Sequence, residues 1–95
     1  MKTREFTLRT GHEGMYNVTA QMRETIRESG VQSGIAIVYC PHTTAGITIN
    51  ENADPDVRSD MASVFDRLIR EREPYYAHTH EGDDDMPAHA KSTLA

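Results

Sequence analysis

The stretch Gly34-Ile-Ala-Ile-Val-Tyr-Cys40, followed beyond a short turn by Ile47-Thr-Ile49, decides how this sequence is read. Residues 34–40 are continuous, apolar and rich in β-branched side chains, the pattern of a buried strand. In the second stretch Ile47 and Ile49 alternate with Thr48 and Asn50, the period of a strand with one wet face. The link Pro41–Gly46 is too short for a parallel crossover, so the two strands are predicted to pair antiparallel. Upstream, Thr3–Thr10 alternates Phe6 and Leu8 with charged or polar neighbours and reads as a further strand. Three helices complete the pattern. Val18, Met22 and Ile26 recur every four residues, with Asn17 or Thr19 as N-cap and Gly30 as a left-handed stop. Asp54-Pro55 opens the clearest helix, Asp54–Arg70, whose stripe is Val57, Met61, Val64, Phe65, Leu68 and Ile69. Asp85-Met86-Pro87 signals a third, with Met86, Ala90 and Leu94 four apart. The expected class is therefore α+β, in one domain spanning residues 1–95.

Composition narrows the function. Fifteen acidic residues against 10 basic ones give a net charge of −5. The basic residues are scattered, so there is no positive stripe for a phosphate backbone and nucleic-acid binding is disfavoured. The longest apolar run, Ile35–Cys40, is too short to cross a bilayer. Cys40 is the only cysteine, which excludes an intrachain disulfide and a paired-cysteine zinc framework. These features, with an N-terminus that lacks a signal-peptide core, point to a cytoplasmic protein without a membrane partner. An apolar fraction of 37% without tryptophan makes a thin core and favours burial against a partner subunit.

Polar chemistry concentrates in two places. The first is His78-Thr-His80-Glu-Gly-Asp-Asp-Asp-Met-Pro-Ala-His89, which holds three of the five histidines and four carboxylates. Imidazole and carboxylate suit zinc, manganese or magnesium. Asp85 and His89 stand four apart at a helix start, so the carboxylate can orient the ring. The same loop is also the form of a solvated helix N-terminus, with one aspartate favoured by the helix dipole. The second is His42-Thr-Thr-Ala-Gly-Ile-Thr-Ile-Asn50-Glu51-Asn-Ala-Asp54-Pro. Glu51 keeps the parity of Ile47 and Ile49, which would aim its carboxylate at the rim of the core and raise its pKa for acid–base work. Read plainly, Thr43 and Thr44 are turn hydroxyls and residues 50–52 a polar exit loop. Cys40 beside His42 is better read as a small core side chain than as a nucleophile, and Tyr75-Tyr76 as cover for a helix end.

Taken together, these two motifs closely resemble the YjbQ-like family, whose members are described as secondary thiamine-phosphate synthases. They occur in order with a helix between them, and the likeness covers essentially all 95 residues. The resemblance implies an antiparallel β-sandwich flanked by helices, assembled as a homotrimer. The family continues past Leu94 into further strands, so the chain is expected to lack the C-terminal strands of that fold. The activity implied joins a pyrimidine methyl pyrophosphate to a thiazole phosphate and releases pyrophosphate, so the partner is a small phosphate-bearing substrate. Carried over residue by residue, the pattern gives Asp84, Asp85 and Glu51 catalytic roles. It gives Thr43, Thr44, Asn50, Glu81, Lys91 and Ser92 to substrate, and His42, His78 and His89 to a divalent metal. His78 is preferred to His80 because it matches the family's histidine after the tyrosine. On this reading His42 and His89 converge on a common ligand across the intervening helix. Two rival readings stand beside it: a metal-dependent hydrolase or isomerase of another metabolite, and a non-catalytic module for a small anion or metal.

Overall fold

The computed structural model describes residues 2–95 and contains three helices: α1, Thr19–Ser29; α2, Pro55–Leu68; and α3, Asp85–Leu94. The chain divides into two units, Met1–Ile37 and Val38–Ala95.

In the first unit, the N-cap of α1 is Val18, not the expected Asn17 or Thr19, and carries no side-chain capping bond; Asn17 Oδ1 accepts from the Thr19 N–H at 2.9 Å just before it. Gly30 ends the helix at φ 73°, and its N–H bonds to the Arg27 carbonyl. A positive φ there carries no Cβ clash for glycine, which is why the stop falls on it. The N-terminal segment is tied to the end of α1 by two ionic side chains: Lys2 donates to the Ser29 carbonyl and Arg4 pairs with Glu28. An open groove between them is lined by Arg4, Phe6, Ala20, Gln21, Glu24 and Thr25.

In the second unit, Asp54 caps α2 by accepting from the Asp56 N–H at 2.9 Å, with Pro55 in the first turn. Proline is favoured there because it lacks an N–H that the helix would leave unpaired anyway. Val57, Met61, Phe65 and Ile69, four apart, are the half-buried members of the predicted stripe, whereas Leu68 is 69% exposed. Beyond α2 the chain turns sharply at Arg72, φ 57°. Tyr76 then folds back to donate its hydroxyl to the Arg70 carbonyl at 2.7 Å, with its ring edge-on to Tyr75. The helix α3 begins after Gly82, whose φ of 108° suits a residue without a Cβ.

The expected α+β class, and with it the antiparallel β-sandwich, is overturned. No strand occurs among the described residues: 3–10, 34–40 and 47–50 form no backbone ladder. Their side chains are not inside a core either. Ile35 is 94% exposed, Ile37 84%, Tyr39 80% and Ile49 98%, and among the described residues only Pro87 is fully enclosed. The physical reason is that alternation tells which side chains a strand would bury, while a sheet is made by hydrogen bonds from a neighbouring backbone. A helix completes its bonds within its own segment, so the three helices form where expected and the strands do not. No helix among the described residues is long and apolar enough to cross a membrane.

The phenol of Tyr76 has its pKa raised above the usual 10.0, chiefly by desolvation and next by the neighbouring Tyr75. A raised folded-state value favours the protonated form. The stability it contributes is therefore fully present below pH about 10 and lost as pH climbs through the raised value. An ultraviolet absorbance titration should show a late-ionising tyrosine. That phase should vanish in Tyr76→Phe, and its survival in the variant would refute the assignment.

Candidate metal centre at the start of helix α3

The site is built on the first turns of α3. Asp84 occupies the N-cap position without a side-chain capping bond, and its carbonyl accepts from the Ala88 N–H at 3.0 Å. Asp85 follows in the first turn, where the helix dipole favours a negative charge. His89 stands one turn later on the same face. From the loop before the helix, His78 reaches the Asp85 carboxylate as well.

The geometry centres on one oxygen. Asp85 Oδ2 lies 2.6 Å from His78 Nε2 and 3.2 Å from His89 Nε2. The two imidazoles meet edge to face, centroids 5.2 Å apart and planes at 80°. One ligand atom from each of the three side chains lies within 4.8 Å of the others. The cluster is partly sheltered: Asp85 is 25% exposed, His89 32% and His78 48%. At 2.6 Å the His78–Asp85 contact is a hydrogen bond, so a proton sits between them. A cation bound to the same atoms would replace that proton. Two borderline nitrogen donors and one carboxylate oxygen are a donor set that fits zinc or manganese.

The other expected site residues are distributed differently. His42 is exposed and is not a member of the cluster, so the convergence of His42 and His89 on one set of ligand atoms is not found among the described residues. Thr43 and Thr44 form an exposed turn. Asn50 uses its Oδ1 on the Glu51 N–H at 2.8 Å, and Glu51 is itself exposed instead of set at the rim of a core, because the strand that was to aim it does not form. Glu81 and Asp84 lie exposed in the loop leading to α3. Lys91 pairs with Asp66 of α2 at 2.5 Å, and Ser92 donates to the Ala45 carbonyl at 2.8 Å. Arg72 reaches Asp83 at 3.5 Å. The expected Asp85–His89 contact is present, and Asp85 also meets His78.

Sequence reasoning did not find Asp66 or Ala45 as partners. Each sits in another element, 25 and 47 residues from its partner in the chain, and no local spacing signals contacts of that range. The Arg72–Asp83 pair, 11 apart across a loop, was hidden in the same way.

Comparison with known proteins places the chain. The family described as UPF0047 protein YjbQ-like matches residues 4–95. The chain is 46% identical over 88 residues to the UPF0047 protein YugU of Bacillus subtilis, covering 88% of this chain and 61% of the relative. A UPF0047 protein of Synechocystis is 41% identical over 85 residues, 90% of this chain and 58% of its own length. The UPF0047 protein YjbQ of Escherichia coli O157:H7 is 37% identical over 89 residues, 93% of this chain and 64% of its own. The chain thus spans about three fifths of the length of these relatives. No solved structure matches it. A family match running from residue 4 to residue 95, with relatives at these identities, makes this chain a member of the YjbQ-like UPF0047 family.

Proposed function

We propose that the chain carries a divalent metal centre on His78, Asp85 and His89, and that the centre serves a small-molecule enzyme acting on a phosphate-bearing substrate. The observation that carries the reading is the single carboxylate oxygen shared by two imidazole nitrogens, at 2.6 and 3.2 Å. Three protein donors leave one position of a four-coordinate metal open, the arrangement of a catalytic site and not of a closed structural one. This favours an enzyme over a binding module. A metal held there would supply Lewis acidity toward a phosphate oxygen.

The finer reading is the thiamine-phosphate synthase type, in which pyrophosphate leaves a pyrimidine methyl group and a thiazole phosphate takes its place. The residues of this chain suit two of its demands. Asp84, at the exposed N-cap of α3, would offer negative charge to a developing cation, while Asp85 is engaged by the metal. Thr43 and Thr44 present hydroxyls on an exposed turn that can meet phosphate oxygens. Lys91 is engaged by Asp66 and would share its ammonium with a substrate. A homotrimer in the cytoplasm completes the reading, supported by the 37% apolar content and by isoleucines that solvent now covers.

Metal analysis after zinc saturation and dialysis should find one zinc per chain. Asp85→Asn and His89→Ala each remove one of the three donors, and neither variant should retain the metal through dialysis. The saturated protein should release pyrophosphate when given both thiamine precursors, and the His89→Ala variant should not. A wild-type chain that stays metal-free overturns the centre. Zinc uptake without pyrophosphate release keeps the centre and removes the synthase reading. Sedimentation equilibrium at micromolar concentration should return the mass of a trimer, and a monomer would exclude that assembly.

A further inference from the structure

Asp85, His89 and Ser92 are spaced four and then three apart in α3, so they share one face of the helix. The turn that opens the second polar motif, residues 42–46, meets that same face. Ser92 donates its hydroxyl to the Ala45 carbonyl at 2.8 Å. At the next residue the approach is closer than any side chain allows: a Cβ on Gly46 would lie 2.8 Å from Ala95 Cβ and 3.1 Å from the Ser92 carbonyl oxygen. Gly46 is therefore needed here for proximity, since its φ is not among the positive values. The two contacts are independent, one polar and one steric, and both join segments that the chain separates by α2. Along the helix axis Ser92 lies about 4.5 Å beyond His89, at a rise of about 1.5 Å per residue.

We propose that Gly46 and Ser92 are positioning residues that fasten the 42–46 turn along the metal-bearing face of α3, so that the turn forms a second wall of the site. The inference rests on the reading of His78, Asp85 and His89 as a metal centre. Ser92 then serves the site through the Ala45 carbonyl and not by holding substrate. The small residue at 46 lets the helix face and the turn backbone touch. Anything bound at the metal is flanked on one side by the turn that carries Thr43 and Thr44.

Nitrogen-15 relaxation of the full chain, with zinc as the probe, tests this. Without metal, the order parameters of residues 43–46 should be those of rigid backbone, near about 0.85, and should fall below about 0.6 in Ser92→Ala. Ser92→Thr, which keeps the hydroxyl, should restore them, and Gly46→Ala should lower them by a steric route. During zinc titration of the wild type, the Ala45 and Gly46 amide resonances should move in step with that of His89. In Ser92→Ala the His89 resonance should still move, while those of Ala45 and Gly46 stay still. Order parameters unchanged by Ser92→Ala overturn the proposal, as does zinc saturation that leaves Ala45 and Gly46 unmoved in the wild type. A wild type whose His89 resonance ignores zinc defeats the metal centre itself, and the wall falls with it. That outcome is recognised because metal analysis then finds no zinc.

Discussion

The Asp85 carboxylate meets two imidazoles through one oxygen, at 2.6 and 3.2 Å, and on that contact the whole functional reading of the chain depends. A carboxylate at a helix start is stabilised by the helix dipole, which favours Asp85 as the charged member of the cluster. His89 comes to it through helical geometry alone, four residues on. His78 reaches it from the preceding loop, across turns in which the Gly82 N–H donates to the Thr79 carbonyl and the Asp85 N–H to the Gly82 carbonyl, each at 3.5 Å. The helix thus provides the anchor and one donor, and the loop provides the other. Neither ring is deeply buried, so the cluster relies on its own short contacts more than on a surrounding apolar shell.

Other contacts keep α3 in place. The Lys91–Asp66 pair links it to α2, with the lysine side chain 17% exposed and the aspartate 63%. A pair whose carboxylate is this open to solvent contributes little by itself. Below it, Tyr76 and the Arg70 carbonyl close the exit of α2. The chain between the two helices is accordingly held at several points and enters α3 from a defined direction.

What could be read from the residues follows the range of the interactions. Asp54-Pro55, Gly30 and Asp85-Met86-Pro87 mark helix ends through bonds made a few residues away, and all three helices stand where they were expected. The Asp85–His89 contact was legible for the same reason. The Gly34–Cys40 and Ile47–Ile49 patterns failed because a strand needs a second backbone, and apolar alternation contains no information on whether one comes near. The role expected of Glu51 failed with them. Membership of the YjbQ-like UPF0047 family was legible because the order and spacing of two long motifs do not depend on how the chain packs.

The cluster and the turn also differ in the length of chain each must close. His78 and Asp85 are seven residues apart, and Asp85 and His89 four, whereas Ser92 and Ala45 are separated by 47. Closing the longer loop costs about 1.7 kcal/mol more than closing the seven-residue one, from the logarithmic dependence on length. The ring–carboxylate contact is thus a local event that a newly formed α3 can complete with its own flanking loop. Docking of the turn must wait for α2 to bring distant chain together. By loop length alone, the contacts among His78, Asp85 and His89 are the cheaper ones to close and the Ser92–Ala45 contact the dearer.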